Sequence, residues 1–158
     1  MEIPFTKAHG ARNDFLLTWE NDAPREDLPK VARAICDRYC GAGADGWYLV
    51  TLLPDEGDHA DAAIRLFNSD GSQAELSGNG TRCAAAFLIE SGLAKSELRI
   101  RTGAGVKHLK LIERHVRQFL FETGMGTPVV TENRLSLRAG TRDVTIVDVG
   151  NPQCALFV

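Results

Sequence analysis

The sequence predicts an α+β fold in which two helices are set among about eight short strands. Three observations predict it. Residues 26–39 carry Leu28, Val31, Ala32, Ala34 and Ile35 at helical spacing, and residues 80–90 form an alanine-rich apolar run closed by Ser91-Gly92; both are helix patterns. From residue 98 onward the hydrophobic pattern changes to period two, the repeat of strands with one buried face. Clusters of Gly, Asn, Asp and Pro separate these stretches and supply the turns.

Taken in order, residues 4–14 read as a loop leading into the strand Phe15-Leu16-Leu17-Thr18-Trp19. The helix over 26–39 is broken by the glycines of residues 41–46, and residues 47–53 follow as a compact β-rich run. Residues 54–60 are an acidic loop and residues 62–67 another strand, ended by the turn signal Asn68-Ser69-Asp70-Gly71. After the second helix, residues 98–102, 106–112, 116–122, 135–139 and 144–149 read as successive antiparallel strands. Residues 154–158 begin a further strand, so the chain is expected to stop within an element.

Composition bounds the class. With 158 residues, 44% apolar and 25% charged, the chain can bury a core as one ordinary domain or a small two-lobed one. The net charge is −3 and Lys and Arg are scattered, which argues against a nucleic-acid partner or a polybasic membrane surface. No apolar run approaches the roughly 18 to 20 residues of a spanning helix. The first residues show no basic segment followed by an apolar one, so a cytoplasmic protein is the expectation. Cys36, Cys40, Cys83 and Cys154 form neither a disulfide framework nor, lacking a Cys-x-x-Cys or His-x-x-x-His partner, a zinc set. They are expected to be reduced and mostly in the core, and no metal site is expected.

Among candidate sites, residues 41–46 match G-x-G-x-x-G. A dinucleotide site needs that motif after a strand and before a helix; here a helix precedes it and a strand follows, so the glycines read as a turn. His9, His59, His108 and His115 are isolated and support no Ser-His-Asp arrangement. The stretch from Phe67 to Cys83 is richer, since it gathers Asn, Asp, Ser, Gly and Arg before an apolar helix. A helix start offers unpaired N–H groups and partial positive charge to a carboxylate or phosphate. Gly78 and Gly80 carry no Cβ and allow close approach, and the Asn79 amide can donate and accept. Ser77 stands where a nucleophile or base could face the anion. Equally, Ser77 or Asn79 could simply cap the helix, and spacing alone leaves both readings open. Asn13-Asp14-Phe15 and Gly150-Asn151-Pro152 are further polar turns beside strands.

Together these pieces resemble the diaminopimelate epimerase family. The resemblance runs through Lys7 to Phe15, Cys36 to Gly46, Arg65 to Ser72, Ser77 to Cys83, Gly124-Met125-Gly126 with Pro128, and Gly150-Asn151-Pro152, in the family's order. It implies a fold of two similar lobes, each a barrel-like mixed or antiparallel sheet wrapped round a central helix. Residues 1–122 are then the N-terminal lobe and residues 123–158 the start of a truncated second one. It also implies a reaction without cofactor: one cysteine removes the α-proton of an amino acid and a second, on the other lobe, delivers a proton to the opposite face. The substrate implied is diaminopimelate, whose LL and meso forms are interconverted in lysine biosynthesis, and a homodimer is compatible with the family.

By this resemblance Asn13, Asn68 and Asn151 hold the distal end of the substrate, and Gly78 and Asn79 bind the reacting carboxylate through backbone N–H groups. Two departures stand out. Ser77 occupies the position of the family's first catalytic cysteine, and a serine hydroxyl is far less acidic than a thiol of pKa about 8.5. Cys83, six residues on inside the helix, is no replacement. The chain is also shorter than the family, so a fragment without a second acid–base group, inactive alone, is expected. The alternatives are an epimerase-like lobe that binds without catalysis and a related hydroxyproline epimerase or phenazine-type isomerase.

Overall fold

The computed structural model describes residues 2–25, 27–54, 59–93, 95–138, 140–149 and 152–157. Asn151, Gly150 and most of the acidic loop expected over 54–60 lie outside the described residues. The chain forms two compact units, Met1–Gly124 and Met125–Val158.

In the first unit the sheet runs β1 (Thr6–Gly10), β2 (Asn13–Trp19), β3 (Gly46–Leu52), β4 (Ala62–Asn68), β6 (Glu97–Thr102), β7 (Gly105–His115), β8 (Gln118–Gly124), with β5 (Gln73–Ala74) paired to β4. Pairing is antiparallel except between β2 and β3 and between β4 and β6, so the sheet is mixed. It curls round α2 (Gly78–Glu90), which touches β1, β2, β3, β6 and β8. This is the α+β arrangement expected, a sheet wrapped round a central helix.

Burial explains the two kinds of strand pattern. Phe15, Leu17, Tyr48, Val50, Ile64 and Leu66 point at α2, where they pack on Cys83, Ala84, Phe87 and Leu88. Leu16, Trp47, Leu49 and Phe67 point the other way and are covered by Ala32 and Cys36 of α1 (Leu28–Cys36). Strands buried on both faces read as continuous apolar runs, which is why 15–19 and 47–53 lack alternation. β6 and β7 alternate because one face alone is covered: Leu98, Ile100 and Leu109 are buried and the residues between them are not fully so.

The structure corrects several boundaries. The loop expected over 4–14 contains β1, a polar edge strand formed by pairing Thr6–Gly10 with β2. α1 ends at Cys36 rather than 39, because the Asp37 carboxylate accepts the N–H groups of Tyr39 and Cys40 at 2.8 and 2.7 Å and folds a turn. α2 begins at Gly78 rather than 80. Val116, expected in a strand, sits in the β7–β8 turn with φ 51°.

The second unit is a separate antiparallel sheet in the order β11 (Gln153–Ala155), β10 (Gly140–Asp148), β9 (Val129–Leu137). The run of successive antiparallel pairings is therefore interrupted after β8. Among the described residues no helix is long and apolar enough to cross a membrane.

Candidate active site

The start of α2 is built by its own residues. Ser77 is extended, with φ −133° and ψ 118°, and its Oγ accepts the Gly80 N–H at 3.2 Å. The Ser77 carbonyl accepts both the N–H and the hydroxyl of Thr81, each at 2.8 Å. Ser77 is thus the N-cap, one of the two readings left open by spacing. The cap satisfies Gly80 and the first helical bond satisfies Thr81, while the N–H groups of Gly78 and Asn79 have no acceptor among the described residues. These two half-buried donors at the positive end of a helix can hold a carboxylate. The Asn79 side chain turns along the helix and accepts from Arg82.

Sheet register sets the other polar residues at the same end. β2 and β3 run in parallel with Phe15 beside Gly46, and β4 returns with Asn68 opposite Gly46. Asn13 at the start of β2 and Asn68 at the end of β4 therefore flank the start of β3. Gly10, paired with Asn13, lies against α2: a Cβ there would stand 3.2 Å from the Asn79 carbonyl oxygen. Asn13, Asn68, Ser77, Gly78 and Asn79 thus share one end of the sheet and helix, and Asn151 lies outside the described residues.

Both placed asparagines are already engaged. Asn13 Nδ2 donates to Asp45 Oδ2 at 2.6 Å, and Asn68 Nδ2 donates to Ser72 Oγ at 2.9 Å. Asp45 joins the two, since its carbonyl accepts the Ser69 N–H at 3.0 Å. It also belongs to an ionic cluster that sequence reasoning missed. Arg38 donates to Asp14 Oδ1 and Oδ2 at 2.7 and 3.2 Å and to Asp45 Oδ1 at 2.8 Å, and Lys7 Nζ lies 3.2 Å from Asp14. Arg38, opposed by burial and helped by Lys7, holds the Asp14 carboxyl far below the usual carboxylate range. Its central pair, Asp14 with Arg38, joins residues 24 positions apart, and no local pattern announces it.

Tyr48 is the second residue that sequence reasoning missed. It reads as a core strand residue and is 1% exposed, yet its hydroxyl reaches the start of α2. A Cβ on Gly80 would stand 2.3 Å from the Tyr48 hydroxyl oxygen, so glycine is required there by contact. That hydroxyl has no hydrogen-bond partner among the described residues. Burial pushes the phenol well above its ordinary pKa, the nearby Cys83 adds to this, and the Ser77 hydroxyl opposes it.

The cysteines divide evenly. Cys36 and Cys83 are buried, whereas Cys40 and Cys154 are exposed, so the expectation of mostly core thiols holds for two of the four. Burial pushes the Cys83 thiol up to about 11, which leaves it protonated and unreactive near neutrality.

Comparison with known proteins bears on the family and the fold. The family model described as diaminopimelate epimerase matches residues 5–131. A diaminopimelate epimerase of Pelotomaculum thermopropionicum is 38% identical over 171 residues, covering 98% of this chain and 60% of that protein. One from Synechococcus elongatus is 41% identical over 175 residues, covering 100% of this chain and 60% of that protein. The chain therefore spans about 60% of the length of these relatives. Among solved structures, a hydroxyproline epimerase from Agrobacterium vitis with bound trans-4-hydroxy-L-proline superposes with TM-score 0.73 at 16% identity, over 96% of this chain and 50% of that one. A phenazine biosynthesis protein of Bacillus anthracis superposes with TM-score 0.64 at 16% identity, over 98% of this chain and 54% of that one. At this identity the superpositions show the fold alone.

Proposed function

Because the chain belongs to the diaminopimelate epimerase family, we propose that it forms the N-terminal lobe of a cofactor-independent epimerase acting on diaminopimelate in cytoplasmic lysine biosynthesis. The observation that carries the reading is the start of α2, where directly after Ser77 Gly78 and Asn79 present two N–H groups without acceptors among the described residues. Removing an α-proton moves charge toward the neighbouring carboxylate. Backbone donors fixed against that group at a helix N-terminus stabilise the charged state more than the ground state. Asn13 and Asn68, at the same end of the sheet, suit the distal amino and carboxyl groups of a symmetrical diamino diacid. Ser77 takes the position of one proton-transfer group.

Two measurements test this. Titration of the isotopically labelled chain with LL-diaminopimelate, followed by amide NMR, should move the Gly78 and Asn79 signals. Shifts with hydroxyproline or proline alone would reject the substrate. Heavy-water exchange at the α-carbon of LL-diaminopimelate by the full product of the gene tests the reaction, and absence of exchange sinks it. The 158 residues by themselves are expected to bind without exchange.

Ser77 itself favours a second reading, a lobe that binds the substrate without turning it over, since a serine hydroxyl needs activation that a thiol does not. Ser77→Cys in the full gene product separates the two. If binding persists and exchange stays absent, the binding reading stands.

A further inference from the structure

An asparagine amide carries an acceptor at one end and donors at the other, so the group that holds one end decides what the other presents. Two asparagines at this end of the sheet and helix are held in opposite senses. Asn13 Nδ2 donates to Asp45 Oδ2 at 2.6 Å. The Asp45 carboxylate, ion-paired with Arg38 at 2.8 Å, offers oxygens alone. Turning the Asn13 amide over would therefore set two acceptors against each other. Asn79 Oδ1 accepts from the Arg82 guanidinium at 2.5 Å, and a guanidinium can only donate. That amide is fixed too, with its donors on the other side. The ends left over are opposite in kind: among the described residues Asn13 Oδ1 meets no donor and Asn79 Nδ2 no acceptor. Both residues are half-buried. Gly10 brings them together, since it pairs with Asn13 and a Cβ on it would stand 3.5 Å from the Asn79 Cβ.

We propose that Asp45 and Arg82 are positioning residues that fix these two amides in opposite senses, so that Asn13 presents an oxygen to an ammonium group and Asn79 presents N–H groups to a carboxylate. The inference rests on the reading of this end as the diaminopimelate site and deepens it. In that reading Asn13 and Asn68 share the distal amino and carboxyl groups, and the fixed amide assigns the amino group to Asn13. At the reacting carboxylate, the Asn79 side chain adds a donor to the backbone N–H groups of Gly78 and Asn79. Hydrogen bonds to ionised partners are about twice as strong as neutral ones, so Asp45 and Arg82 hold the amides firmly. A ligand entering with its charges exchanged would meet an oxygen with its carboxylate and an N–H with its ammonium, both unfavourable. The pair thus reads the direction of the substrate as well as its charge. None of this depends on whether Ser77 transfers a proton.

The test is the titration of the isotopically labelled chain with LL-diaminopimelate, read at side chains as well as backbone. The Asn79 side-chain amide protons should move together with the backbone amides of Gly78 and Asn79. The Asn13 side-chain carbonyl carbon should move, while its amide protons, already bonded to Asp45, stay in place. The reverse pattern, or still side chains beside moving backbone amides, overturns the proposal and leaves the diaminopimelate reading standing. If the backbone amides also stay still, that reading fails and the proposal falls with it. Two substitutions then address Arg82. Arg82→Lys, which can only donate, should keep the Asn79 side-chain shift. Arg82→Glu, which can only accept, should turn the amide over, abolish that shift and weaken binding by about tenfold. Weaker binding with the shift retained is an effect of charge alone and overturns the role of Arg82. Where Arg82→Glu fails to fold, the pattern in the unmutated chain decides by itself.

Discussion

Two polar clusters sit at the same end of the first unit, and they are finished to different degrees. Around Asp14, every charge has a partner: Arg38 and Lys7 converge on its carboxylate, and Asp45 closes the ring through Arg38 and Asn13. Around Ser77, donors outnumber acceptors, with Gly78, Asn79 and the Tyr48 hydroxyl all left without partners among the described residues. The first arrangement ties β1, β2 and the segment after α1 together and is complete without a ligand. The second has donors left over, which in the reading proposed above a ligand would take up. A buried donor without a partner costs free energy, and in the reading proposed above a negatively charged group at the half-buried helix start would use the spare donors there. The difference between the clusters separates the contacts that hold this lobe together from the donors still free to take a partner.

The contrast breaks most visibly at Gly80. Its replacement by Ala puts a methyl group 2.3 Å from the Tyr48 hydroxyl oxygen and 2.4 Å from its Cε2, in a ring that is fully buried and cannot step aside. Overpacking of this kind costs about 3 kcal/mol, and the better helix propensity of Ala returns about 1 kcal/mol. Urea denaturation of Gly80→Ala should therefore show a net loss of about 2 kcal/mol. A gain in stability would mean that Tyr48 does not press on the helix start, and the second cluster would lose one of its three free donors.

Asp14→Asn attacks the finished cluster. Arg38 is 52% exposed, so solvent weakens its ion pair, and the expected loss near neutrality is about 1 kcal/mol. The pH dependence carries the sharper signature. Because the folded pKa of Asp14 lies below the unfolded value of about 3.9, its stabilisation is present in full above that value. It is lost as the pH falls below it and through the folded pKa. The gap between the two proteins should thus close in acid. A gap that stays constant down to low pH would show that Asp14 stabilises by packing and not by charge.

How much of this was legible in the sequence follows from how local each feature is. α1 and the strands β2, β3, β4, β6 and β7 announce themselves because apolar pattern reports burial, and burial on two faces or one gives runs or alternation. β1 does not, since Thr6 to Gly10 is polar and becomes a strand only by pairing with β2. The Gly78-Asn79-Gly80 start of α2 goes against helix propensity and is held by the Ser77 cap and by fit against Tyr48. Ser77, Gly78 and Asn79 could be singled out because an N-terminal anion site is a local motif. Tyr48 and the Asp14, Arg38 and Asp45 cluster could not. Their meeting points are set by the register of β3 on β2 and by where the sheet curls over the helix, neither of which any short window of sequence contains.

The smallest effects distinguish cap from ligand site at Ser77 itself. Ser77→Ala removes the acceptor for the Gly80 N–H and should cost about 1 kcal/mol, as N-cap losses do. Ser77→Asp restores an acceptor at the same place and adds negative charge near the helix start, a change worth 0.3–1 kcal/mol in the favourable direction by general experience with helix ends. Its stability should therefore lie within about 0.5 kcal/mol of the unmutated chain. The same carboxylate would sit where the Gly78 and Asn79 N–H groups face the ligand, and like charge would repel the incoming anion. Stability kept and ligand-induced amide shifts lost is the outcome that assigns both functions to one helix start. Shifts that persist in Ser77→Asp would place the ligand elsewhere and leave Ser77 as a cap alone.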